Sequence, residues 1–326
     1  MTFRCGLLML MLLAVSGALA AGEKLDADMR ALEQARDLAG MQARISEAEA
    51  DELDSPEAWN WRAWLALAEN GPDEAEALLE QGLKAFPDSA ALELQQTALM
   101  VRGFNDVGNL GAMRLARRVR QGFERAVELG PDHVGARVAL IMYYINAPRI
   151  AGGGEARARE HIDQLKQLSP AAYYDMQAIQ ASANGDREQA LELVEQARAR
   201  EDSAERRLNR GLILQALEDY PAARSSFRTI VEEYPTHGAA WYQLGRTSVL
   251  AEDWIDEGQE ALQRFMALPT WPGDPSHAAA WWRLGQLHAL AEDADAALGA
   301  FERSLALDAD FEPAANALAD LSARAN

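Results

Sequence analysis

An all-α chain built from repeated helix pairs is what three features of this sequence predict. The 326 residues are rich in Ala, Leu, Glu and Arg and poor in β-branched residues, a composition that favours helices over sheets. Two blocks, Trp241-Tyr242-Gln243-Leu244-Gly245-Arg246 and Trp281-Trp282-Arg283-Leu284-Gly285-Gln286, present the same helix face twice. Prolines at 87, 131, 170 and 235 stand where a residue that cannot continue a helix would close one pair and admit the next.

The chain opens on Met1-Thr2-Phe3-Arg4, then an apolar run from Cys5 to Val15, then Ser16-Gly17-Ala18-Leu19-Ala20. One basic residue, a run too short to cross ~30 Å of hydrocarbon, and small residues at Ala18 and Ala20 make a secretory signal pattern over 1–20, with cleavage expected after Ala20. The periplasm or the extracellular space is the compartment this implies. The other reading of the run is an uncleaved helix that anchors the chain in the inner membrane. Cys5 precedes the run, so lipidation is not expected. Removing the signal leaves no cysteine, hence no disulfide, thiol nucleophile or thiolate zinc site.

Once Arg4 is removed, 30 basic residues face 51 acidic ones. That balance points away from nucleic acid and anionic lipid as partners, and toward a surface that keeps the chain soluble.

Residues 21–55 read as amphipathic capping helices. Repeats then begin near Pro56, Ala90, Val134, Ala171, Ala204, Gly238 and Ala278, spanning 56–89, 90–133, 134–170, 171–203, 204–237, 238–277 and 278–311, and 312–326 reads as a closing helix. The repeat at Pro56 supplies Trp59, Ala63, Ala75, Leu79 and Pro87. That at Ala171 supplies Tyr174, Ala178, Asn184-Gly185-Asp186, Ala190 and Ala197, and the later ones supply Gly211, Ala223, Phe227, Ala297 and Phe301. A period near 34 residues with Trp, Leu-Gly, Ala, Phe and Pro at these offsets resembles the tetratricopeptide repeat. The resemblance implies a right-handed α-α superhelix, a solenoid of about seven helix pairs with N- and C-terminal capping helices. Within it, small residues such as Gly245 and Gly285 let the paired helices approach, and Phe227 and Phe301 fill the space beyond.

The resemblance also implies a location for binding, since the first helices of such repeats line a concave groove that takes a protein or peptide partner. Placed residue by residue, the groove candidates are Asn60, Trp64, Asn146, Asp175, Gln215, Tyr242, Arg246, Trp282 and Gln286. Trp64, Tyr242, Arg246 and Trp282 are the expected anchors. Packing between neighbouring repeats is the alternative for Trp64 and Trp282. The paired Lys and Asn groups of the chaperone-binding subset are missing.

Three insertions interrupt the period, at 103–111, 147–154 and 269–276. The second ends in Gly152-Gly153-Gly154 before a helix, where free amides could cradle an anion, or where three glycines simply make a turn. The third carries Trp271, expected either to bind or to pack back onto adjacent helices.

No chemistry is legible. His133, His161, His237, His277 and His288 lack metal-site spacing, with His133, His237 and His277 expected at surface turns and His288 on an apolar face. The acidic pairs Glu252-Asp253 and Glu292-Asp293 recur at one turn position, which fits turn and capping duty better than catalysis. The sequence therefore predicts a non-catalytic scaffold without cofactor or metal. A small-ligand carrier beside a transporter and a structural assembly factor of an envelope complex stand as alternatives, and the oligomeric state is open.

Overall fold

The computed structural model describes residues 21–48 and 50–325. The expected signal, with Cys5, Ala18 and Ala20, lies outside the described residues. Among them there is no strand, and the helices fall into two compact units.

The first unit ends at Glu201. It starts with α1 (Ala21–Gln34), α2 (Leu38–Ser46) and the short α3 (Ala50–Leu53). Four helix hairpins follow: α4 (Pro56–Glu69) with α5 (Pro72–Ala85), α6 (Ala90–Val101) with α7 (Asn109–Leu129), α8 (Val134–Asn146) with α9 (Glu155–Leu168), and α10 (Pro170–Ala183) with α11 (Arg187–Arg198). The second unit, Asp202–Asn326, holds three more: α12 (Ala204–Ala216) with α13 (Tyr220–Glu233), α14 (Gly238–Ala251) with α15 (Ile255–Ala267), and α16 (His277–Leu290) with α17 (Ala294–Leu307). A last helix, α18 (Glu312–Ala325), packs on α17.

Helix starts are set by short polar side chains that satisfy otherwise orphaned amides. Ser55, Ser89, Ser169, Ser203 and Ser276 each accept from the amide three residues on and open α4, α6, α10, α12 and α16. Asp186, Asp219 and Asp293 do the same for the second helices α11, α13 and α17. The recurring Glu-Asp pair has a division of labour at Glu218-Asp219 and Glu292-Asp293. The Glu takes a left-handed conformation, φ 63° and 61°, and the Asp caps the next helix. Glu252 is also left-handed, at 52°, but Asp253 accepts from its immediate neighbour Trp254 instead.

His133 and His237, expected as surface turn residues, are helix caps: their Nδ1 atoms accept from Ala136 (3.1 Å) and Ala240 (3.3 Å). His237 is only 2% exposed, so burial of the ring accompanies the cap.

Close approach within hairpins is built on glycine. In the second unit a Cβ on Gly211 would run into the ring of Phe227, one on Gly245 into Leu262, and one on Gly285 into Phe301. Phe227 is fully buried and Phe301 is 3% exposed; burying such a ring stabilises by about 2–3 kcal/mol. The first unit's main core gathers Phe123, Leu140, Ile141, Ile162, Leu165 and Met176 from α7 to α10.

The N-terminal helices cover the apolar end of the first hairpin. Leu25, Met29 and Met41 are fully buried. Trp61 Nε1 donates to Asp26 Oδ1 at 2.9 Å, and Arg44 joins Asp28 (2.8 Å) to Glu52 (2.6 Å).

The three insertions are ordered in different ways. In the first, a 3-10 turn over Arg102–Asp106 leads into α7, whose 21 residues make it longer than its neighbours. The second holds a 3-10 turn over Arg149–Ala151 and a left-handed Gly152. Tyr143 anchors it, its hydroxyl placed to donate to Ala151 O at 2.7 Å and lying 2.9 Å from Ala116 O. The third, 269–276, carries no helix; its Trp271 is half-buried.

Candidate functional site

Within the second unit, the first helices α12, α14 and α16 carry a polar ridge whose geometry follows from the repeat. The blocks 241–246 and 281–286 place Gln243 and Arg246 on α14 and Arg283 and Gln286 on α16 at matching helix positions. Leu244 and Leu284 point into the core while these four stay half-exposed.

Gln215, at the end of α12, is 5% exposed and organises the ridge. Its Nε2 donates to Thr247 Oγ1 at 2.7 Å and its Oε1 accepts from Arg246 Nη1 at 2.7 Å. Arg246 Nη1 also lies 3.3 Å from Gln243 Oε1. One turn along the next first helix, Arg283 Nη1 donates to Gln286 Oε1 at 3.0 Å, and its guanidinium sits 3.9 Å from the ring centroid of Trp282. Trp282 in turn meets Phe311 edge-on at 5.8 Å.

Both guanidinium groups are therefore held by neutral amide oxygens. No carboxylate of a described residue forms an ion pair with either. Burial, and then the positive charge of Arg283, push the Arg246 pKa below its ordinary value. Two cations held close without counter-ions, beside a half-buried tryptophan, make a surface that can take a carboxylate with its fork-shaped donors.

The other expected groove residues are placed differently. Tyr242 is 7% exposed and packs edge-on against Phe265 at 5.6 Å, within the core of Leu262, Leu284 and Leu287. In the first unit Trp64 is likewise 7% exposed and meets Trp61 at 6.3 Å, and Asp175 is 2% exposed. Trp64 and Tyr242 face inward because the side of the first helix opposite the groove also needs large side chains to fill the stack, and Asp175 is buried on α10 rather than presented to a partner. Asn60 is half-buried on α4, and Asn146 is exposed but uses Nδ2 to cap its own helix at Met142 O. The ridge thus brings together Gln215 and Arg246, and separately Trp282 and Gln286 through Arg283. Sequence reasoning passed over Arg283 and Gln243, although both stand inside the two recurring blocks.

The glycine loop of the first unit does not offer free amides. Gly152 N donates to Arg149 O, Gly153 N to Pro148 O and Gly154 N to Tyr144 O, all at 2.9–3.1 Å. An anion cradle built from those amides is excluded by these bonds. A Cβ on Gly153 would collide with Ala147 O, so glycine here answers a close backbone approach.

Among the remaining histidines, His288 faces Gln259 at 3.3 Å and His277 sets its ring edge-on to Phe265 at 5.5 Å. Among the described residues no three metal-binding side chains cluster, and no helix is long and apolar enough to cross a membrane.

Comparison with known proteins places the repeats. The family described as tetratricopeptide repeat matches residues 176–237, 208–264 and 251–311, so the chain carries tetratricopeptide repeats from α10 to α17. No curated protein sequence matches this one. Among solved structures, an IFIT1 N216A monomeric mutant with m7Gppp-AAAA is 17% identical, with 91% of this chain and 72% of that one covered and a TM-score of 0.63. The human IFIT1 dimer with m7Gppp-AAAA is 18% identical over 92% of this chain and 68% of that one, at 0.61. The Cut9–Hcn1 hetero-tetramer of APC/C is 15% identical, covering 92% of this chain but 54% of the other, at 0.57. These are likenesses of fold.

Proposed function

We propose that the chain is a non-catalytic scaffold of the periplasm or cell envelope that holds a partner protein along the first helices of its second unit. The segment held is extended and bears carboxylates. The observation that carries this reading is the pair Arg246 and Arg283, on neighbouring first helices and satisfied only by glutamine oxygens. Folded chains seldom leave two half-buried guanidiniums without a counter-ion, and a partner's carboxylates would supply one. Trp282 gives the site an apolar wall that a side chain beside the carboxylate would cover. Tetratricopeptide repeats commonly serve as protein-binding scaffolds, which agrees with the absence of a catalytic constellation in the sequence.

The test is capture of a cross-linked partner from the cell envelope by the wild-type chain and by Arg246→Gln with Arg283→Gln. Loss of a bidentate charge contact is worth about 1.5–3 kcal/mol, so capture should weaken at least tenfold for the double variant. Capture that persists unchanged in the double variant and in Trp282→Ala removes the ridge as the site.

The compartment rests on the leader pattern at 1–20. N-terminal sequencing of the protein from the periplasmic fraction should begin at Ala21. A chain found only in the membrane fraction with Met1 intact would establish the anchored alternative.

A further inference from the structure

We infer that the first unit docks on the surface of an anionic lipid bilayer, through the face made by its first two insertions and the outer side of α7. The observation is a local reversal of both charge and polarity. Between Val107 and Phe123 the sequence contains Arg114, Arg117, Arg118 and Arg120 and no acidic residue, in a chain whose formal net charge is −20. Arg102 precedes this stretch, with Asp106 between them, and Arg149 lies in the neighbouring insertion.

The structure puts Arg114, Arg117 and Arg118 on one side of α7. Ala116, Val119, Phe123 and Ala126 face the core, so at 3.6 residues per turn Leu110, Arg114, Arg117 and Gln121 form a stripe on the opposite side, flanked by Arg118. Arg102, Arg114, Arg117, Arg118 and Arg149 are all exposed, and none of the five forms an ion pair with a described residue. Arg120 pairs with Glu124 at 3.1 Å, Arg159 pairs with Glu155 at 2.7 Å, and Arg157 is tied to Gly152 O.

The two most exposed large aliphatics of the described residues, Leu110 at 80% and Ile150 at 77%, stand at the start of α7 and on the neighbouring insertion, with Val107 at 38%. The loop that carries Ile150 is fastened beside α7: Tyr143 reaches both Ala116 O and Ala151 O, and Gly152 abuts the Arg120 side chain. Leu110 is six residues, about 9 Å of helix and roughly a third of a turn, from Ala116.

A bilayer fits this combination best. An isolated aliphatic tip such as Leu110, beside Arg114, Arg117 and Arg118, suits insertion between acyl chains with headgroup phosphates around it. The outer stripe of α7, Leu110, Arg114, Arg117, Arg118 and Gln121, carries no aromatic side chain and so offers no stacking platform for bases. The chain's negative balance would repel the same membrane elsewhere, so this face sets the orientation of docking. Net charge alone points away from anionic lipid; the distribution of charge reverses that conclusion for this one surface. The inference is independent of the ridge on the second unit.

The experiment is co-sedimentation of the full chain with vesicles of phosphatidylcholine, with and without phosphatidylglycerol. The quantity read is the increment that phosphatidylglycerol adds, which cancels any contribution of the apolar run at 5–15. Wild type should show a large increment that falls as salt is raised. Replacing Arg114, Arg117 and Arg118 together by Gln should lower it on the order of a hundredfold, and Leu110→Ser or Ile150→Ser by about tenfold each. All five positions are exposed, so thermal unfolding of the variants should match wild type. No increment in wild type, or an increment that the arginine and aliphatic variants leave unchanged, overturns the inference. So does an arginine-dependent binding to RNA, to an acidic protein or to a second copy in light scattering that outcompetes the vesicles.

Discussion

A methyl group placed on Gly285 would stand 2.5 Å from Cε1 and 2.6 Å from Cδ1 of Phe301. The two helices of the final hairpin, α16 and α17, are thus spaced by the absence of one carbon. Gly285→Ala should lower stability by about 1–3 kcal/mol through overpacking, although alanine is the better helix former. Adding Phe301→Leu to it should restore part of the loss, and a double-mutant cycle of Tm values would reveal the coupling.

The left-handed Glu292 and the capping Asp293 predict opposite responses at adjacent positions. Asp293→Ala removes the acceptor for Ala296 N and should cost about 1 kcal/mol. Glu292→Gly relieves a conformation that non-glycine residues seldom adopt and should add about 0.5 kcal/mol. Chemical denaturation of both variants checks the pair of signs.

Acid should destabilise the first unit in a way traceable to His133 and His161. Burial lowers the pKa of both, and for His161 the nearby Arg137 lowers it further. Arg137 Nη1 lies 3.2 Å from His161 Nδ1, and Ala136 N donates to His133 Nδ1, so protonation deletes an acceptor in each case. A lowered folded-state pKa means the unfolded chain binds the proton more readily. The stabilisation is therefore complete above about pH 6.5 and lost as pH falls below it. Tm measured from pH 8 to pH 5 should fall less steeply in His161→Gln than in wild type.

Tyr242 and Trp282 separate packing from binding. Tyr242→Ala empties a core position beside Phe265 and should cost about 3–5 kcal/mol. Trp282→Ala, at a half-exposed position, should cost markedly less while weakening partner capture. Unfolding curves measured beside the pull-down distinguish the two.

The hairpins were legible because their spacing rule is chemical. Only glycine lets Phe227, Leu262 and Phe301 close this far on the first helix, so Gly211, Gly245 and Gly285 mark the repeat in sequence. The direction of large side chains was not legible. Trp64 and Tyr242 recur at helical spacing whether they look into the stack or out of it, and a period of 3.6 cannot separate two useful faces of one helix. His237 as a buried cap was hidden for a related reason, since histidine is an uncommon residue at that position. The arginine stripe of α7 could have been found, because Arg114 to Arg120 stand in an acid-free stretch; summing charge over the whole chain concealed it.

The outer side of α7 also bears on how the molecule behaves at charged solids. With a pI near 4.7 the protein should migrate as an anion at neutral pH. Yet adsorption is governed by the patch that touches the matrix, and a cation-exchange resin at low ionic strength can retain a molecule that electrophoresis reports as strongly negative.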